Sequence, residues 1–195
     1  MKLLKVPYDD AAQILSLFEP SAELSELVKT HTSPFDLITH AVEQELFSDA
    51  VTYLAHALPV RESVWWATCC ASARSDWNPV ENEAILSAKA WVHVPDETNR
   101  RQAEDSANNT GLDSGAGWAA QAAFWSGGSI TAPSDPIVPP PQYLYAQAVA
   151  GSINLTAVLP EGKQAKQRYK LFIEMGLNIA QGGNGAPVGL QPLEA

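Results

Sequence analysis

Apolar residues recur at helical spacing along almost the whole chain. Ala11, Ile14, Leu15 and Phe18 share one face of a short predicted helix, and Leu24, Leu27 and Val28 mark the next, after a restart at Pro20-Ser21. Ser33-Pro34 reads as an N-cap followed by proline at the first helical position, leading into Leu37, Ile38, Ala41 and Val42. Phe47, Ala50, Val51, Leu54, Ala55 and Leu58 form the cleanest stripe, and Pro59 separates it from the segment 60–73. That segment is apolar nearly all round, which predicts a central helix with Trp65, Trp66, Cys69 and Cys70 in the core.

Asn78, Pro79 and Glu81 spell a capping box before the stripe Ala84, Ile85, Ala88, Trp91 and Val92. A polar helix over 97–108 offers only Ala103 and Ala107 inward, so it is expected at the surface. The Asn/Gly/Asp/Ser-rich stretch 108–117 predicts a loop. An alanine-rich helix follows over 118–125, with Trp118 and Trp125 as core residues and Gly127-Gly128 as its stop. Five prolines in 129–141 forbid a helix and predict an extended strap. Two further helices are expected over 143–159 and 164–180.

The sum is an all-α protein of about nine or ten helices, arranged as an irregular bundle or as stacked hairpins, with no strand pattern. Residues 1–182 are expected to form one helical domain, with 126–141 the place where it would subdivide. Residues 183–195, rich in glycine and proline, are expected to form a flexible tail.

Charge narrows the partners. The net charge is −10, with 46% hydrophobic and 17% charged residues. Such a surface repels phosphate backbones and anionic lipids, so neither nucleic acid nor a membrane surface is expected as a partner. No stretch approaches the ~18 uninterrupted apolar residues of a spanning helix, and the first residues lack an apolar run of signal length. Cytoplasmic residence is the expectation.

The candidate chemistry is sparse. Adjacent helical cysteines point about 100° apart, so Cys69 and Cys70 cannot pair without strain, and two ligands do not close a zinc site. His40 and Glu43 share a helix face, and with Asp49 and His56 they are the residues from which an active site without a recognisable motif could be assembled. The glycines of "WSGGS" (125–129) follow a helix rather than precede one, which suits a turn and not a phosphate cradle. No catalytic residue, metal site or cofactor is predicted.

Three stretches, "ALPVRESVWWATCCASA" (57–73), "GWAAQAAFWSGGS" (117–129) and "PPPQYLYAQAVAGSINLTA" (139–157), are similar to a family of uncharacterised bacterial proteins, over residues 58–182. The resemblance implies an association with type VI-like secretion loci and supplies no catalytic residues. The expected function is a non-enzymatic interaction module, an adaptor or accessory chaperone whose partner is a secreted effector or a component of the machine. Two alternatives remain at this stage: an immunity or antitoxin-like protein that binds a basic toxin, and an enzyme. The expected docking residues are Pro136, Pro139, Pro140 and Pro141 on the strap, and Arg100, Arg101 and Glu104 on the polar helix.

Overall fold

The computed structural model describes residues 2–186. Among them are ten α-helices, one 3-10 turn and no strand. Three short helices, α1 (Ala11–Leu15), α2 (Ala22–Leu27) and α3 (Pro34–Glu43), precede α4 (Phe47–Ala57) and α5 (Val60–Ser72). Then come α6 (Pro79–His93), α7 (Glu97–Thr110), α8 (Gly115–Phe124), α9 (Leu144–Val158) and α10 (Ala165–Ala180).

Local capping sets many of these boundaries. Ser33 Oγ accepts the Asp36 N–H at 3.2 Å, and Pro34 opens α3. At α6 the capping box is complete: Asn78 Oδ1 accepts the Val80 and Glu81 N–H groups, and Glu81 Oε2 accepts the Asn78 N–H, each at 2.9 Å. Each such cap satisfies backbone donors that the helix itself leaves unpaired.

One apolar core runs from Leu3 to Ala180, and a smaller satellite joins Ala71, Ile85 and Ala120. α9 lies at the centre, against α8, α4, α5 and α10, while α6, α7 and α8 pack on one another. The α8–α9 interface is the most extensive. It is built from small residues: a Cβ on Gly115 would sit 2.0 Å from Thr156 Oγ1, and Ser152 Oγ donates to the Gly115 carbonyl at 2.7 Å. This contact starts α8 three residues before the predicted point, and α7 runs on to Thr110, so the predicted 108–117 loop is much shorter.

The central-helix expectation for α5 is met by Trp66, which has no exposed surface. Its indole N–H donates to the Phe172 carbonyl of α10 at 2.6 Å. Gly176 makes room for the ring, since a Cβ there would lie 2.6 Å from Trp66 Cε2. Cys70 is equally buried, whereas Trp65, Cys69, Trp118 and Trp125 pack on the core from its edge, half-buried.

The chain beyond α10 turns back onto α5. Trp65 Nε1 donates to the Asn184 carbonyl at 3.1 Å, and Asn178 Oδ1 accepts the Gly185 N–H at 2.9 Å. The remainder of the expected tail lies outside the described residues.

Truncation at the α5–α10 contact is expected to be costly. Trp66→Ala should lower the unfolding free energy by about 3–5 kcal/mol through lost burial and the cavity left behind. Urea denaturation checks this, and a loss below about 1 kcal/mol would mean the site collapses freely.

Candidate protein-docking loop

The most organised polar structure lies where α7, the end of α8 and the segment 129–141 meet. Asp96 caps α7 by accepting the Asn99 N–H at 2.8 Å. Glu97, the first residue of α7, receives two arginines from the next turn. Arg100 donates to it through Nε and Nη2 at 2.6 and 2.7 Å, and Arg101 through Nε at 2.9 Å. The Arg100 bond is the chief cause that holds the Glu97 carboxyl down to about 2.

Arg100 differs from the expectation of an exposed docking residue, being only 3% exposed. Its Nη1 donates to the Phe124 carbonyl at 2.8 Å, its Nη2 to the Ser129 carbonyl at 3.0 Å, and its guanidinium lies 4.9 Å from the Phe124 ring centre. A buried cation is tolerated only when its donors are satisfied in this way. Gly128 permits the approach: it adopts φ 65°, and a Cβ there would sit 2.9 Å from Arg100 Nε. The glycine read as a helix stop thus also makes space for the guanidinium.

Arg101 stays nearer the surface. It donates to Glu104 at 2.8 Å and reaches the Ser129 and Thr131 carbonyls at 3.0 and 2.8 Å. Arg100, Arg101 and Glu104 are therefore brought together with the loop, as parts of its frame.

The proline-rich segment has no regular structure, as its prolines require, and it doubles back on itself. Ile130 N–H donates to the Val138 carbonyl at 2.9 Å, and Val138 N–H to Ser129 Oγ at 3.0 Å. Thr131 Oγ1 donates to the Pro136 carbonyl at 2.7 Å, and a turn closes at the tip where Asp135 N–H meets the Ala132 carbonyl at 2.9 Å. At the downstream end Tyr143 takes the left-handed backbone state, φ 61°, unusual for an aromatic residue. Its hydroxyl meets that of Tyr8 at 3.1 Å.

What this closed loop presents is apolar. Ile137 is 82% exposed and Val138 44%, flanked by the exposed Pro136 and Pro139; Pro141 is also exposed and Pro140 half-buried. Asp135 is the sole charged residue of 126–142 in a chain of net charge −10. A hollow of about 380 Å³ lies beside it, lined by Arg101, Ala132, Pro133 and Ile137 among others.

The other chemistry-bearing residues are placed differently. His40 stacks on His31 with ring centres 3.6 Å apart, and its Nε2 lies 3.8 Å from Glu43. His56 is sealed in the core, stacked on Phe18 at 4.6 Å, with Nδ1 bonded to the Thr52 carbonyl at 2.7 Å and Nε2 lacking a hydrogen-bond partner. His56 thus belongs to a different environment from His40 and Glu43. Among the described residues no three of His, Cys, Asp or Glu are grouped so as to hold a metal ion. Cys69 and Cys70 are free thiols, and burial pushes Cys69 up to about 12 and Cys70 well above its usual range. Thiols held protonated in this way are poor nucleophiles.

Comparison with known proteins adds one assignment. The model of a single protein family matches residues 37–180, most of the chain. The chain belongs to DUF6931, a family of unknown function. The DUF6931 match begins inside α3 and runs to the last residue of α10, so it contains the whole loop and its arginine frame. No curated protein and no solved structure matches the chain. No helix among the described residues is long and apolar enough to cross a membrane.

Two outcomes follow from these placements. Arg100→Met orphans the buried Phe124 carbonyl, while Ser129 keeps Arg101, so thermal or urea unfolding should show a loss of about 1–3 kcal/mol. Burial lowers the His56 pKa below 6.5, so only the unfolded chain takes up this proton at first. His56 therefore contributes stability that is complete above pH 6.5 and is lost as pH falls towards its folded value. Unfolding free energy should decline as pH falls below about 6.5, and His56→Phe should flatten that slope.

Proposed function

We propose that this chain is a non-enzymatic protein-interaction module that docks through the 129–141 loop. The observation that carries the reading is Ile137 and Val138 standing exposed on a loop already fixed by Arg100, Arg101, Ser129 and Thr131. Isolated exposed apolar residues are ordinary on protein surfaces. Here the exposed pair is framed by prolines, uncharged, and held in place, so association need not order the loop again. An uncharged, proline-flanked knob suits a cleft lined with apolar or aromatic side chains.

The sequence resemblance supports a setting: adaptor or accessory chaperone in the cytoplasm, with a component or cargo of a type VI-like secretion system as partner. The protonated thiols and the sealed His56 support binding over catalysis.

Purification from the cells that make the protein tests this, with wild type, Ile137→Asp and a control, Leu86→Asp, on the exposed face of α6. A stoichiometric partner should accompany wild type and control and be lost from Ile137→Asp, with thermal stability unchanged in all three. The same partner on all three variants, or none on wild type, would remove the proposal.

A further inference from the structure

A second concave site lies where the start of α5 and the end of α6 meet the turn after α10. It is a groove of about 350 Å³. Trp65, Val92 and Ile179 give it apolar walls, Lys5, Arg61 and Glu62 line it with charge, and His93 adds an imidazole. Trp65 is fixed by its indole bond to the Asn184 carbonyl at 3.1 Å, and the His93 ring meets it edge-on at 5.7 Å.

The charges do not balance. Lys5 is paired with Glu62 at 3.2 Å. Arg61 donates Nε to the Val92 carbonyl at 2.6 Å, which fixes the plane of its guanidinium. Elsewhere Arg74, Arg100 and Arg101 are ion-paired, and Arg168 donates to the Ala157 and Leu159 carbonyls at the end of α9. Among the described residues the exposed Arg61 has no carboxylate partner, and none of them accepts from its terminal N–H groups. An oriented guanidinium of this kind is matched by a carboxylate, which can take two parallel hydrogen bonds. A groove of this volume, with apolar walls and a few placed polar groups, has the form of a small-ligand site.

We infer that the groove binds a carboxylate joined to an aromatic or branched apolar body, with Arg61 receiving the carboxylate and Trp65, Val92 and Ile179 receiving the apolar part. Two sources carry that chemistry, a free organic acid and the C-terminal residue of a peptide. The site shares no residue with the 129–141 loop, so its test is independent of the docking proposal.

Calorimetric titration of the full chain with N-acetyl-phenylalanine, against the uncharged N-acetyl-phenylalaninamide, reads the inference out. The acid should bind saturably at one site, and the amide at least about tenfold more weakly, as expected when a charge-assisted pair is lost. Arg61→Gln should weaken acid binding by a similar factor while the melting temperature stays close to wild type. The acid–amide contrast on wild type stands even if that variant folds poorly. A hexapeptide ending in phenylalanine with a free carboxylate separates the sources: equal affinity assigns the site to chain ends, weaker affinity to free acids. No binding of the acid, equal binding of acid and amide, or acid binding unchanged in folded Arg61→Gln would overturn the inference.

Discussion

The Arg100 guanidinium is the point on which the proposed docking loop depends. It is a cation placed where almost no water reaches. Such a group is stabilising only if its donors and its charge are met. Glu97 supplies the charge from the same helix, one turn back. The Phe124 carbonyl, at the electronegative end of α8, supplies an acceptor where the helix dipole favours a cation. The Ser129 carbonyl supplies another from the loop. One side chain thereby joins two helices and a proline-rich segment that has no helix or sheet of its own to order it.

The rest of the fold provides the rigid base. α4, α5, α9 and α10 close around Trp66, and α8 presses on α9 through Gly115, Ser152 and Thr156. Small residues let the helices approach closely there, and a large buried indole fills the space under Gly176. The two proposed binding surfaces lie at the margins: the loop beyond α8, and the groove where Trp65 emerges from the core beside Arg61, which has no carboxylate partner among the described residues. The half-buried position of Trp65 links the two roles of α5, since its neighbour Trp66 holds the core while it walls a groove.

Much of the helical plan could be read from residue spacing. Ser33-Pro34, Asn78-Pro79-Glu81 and the stripe from Phe47 to Leu58 act locally, so their effect is written in neighbouring residues. What spacing does not show is decided by distant partners. Arg100 reads as a surface residue of a polar helix because its acceptors lie 24 and 29 residues away. Gly115 reads as a loop glycine because α9, the helix that accepts its close packing, is remote in sequence. Arg61 likewise reads as a flank of an apolar helix, and only the turn back of residues 182–184 makes a groove beside it. Gly127-Gly128 offered a signal that was legible in part, since a glycine pair after a helix also marks a close approach.

The central claim is that the 129–141 loop is held in one conformation by α7 before any partner arrives. Amide hydrogen exchange on the isolated chain measures this most directly. The account predicts that the Ile130 and Val138 amides, bonded to the Val138 carbonyl and to Ser129 Oγ, exchange far more slowly than unstructured amides, and that replacing Arg100 and Arg101 together by Met releases both while α9 and α10 stay protected. Exchange of both amides at unprotected rates in the wild-type chain would contradict it.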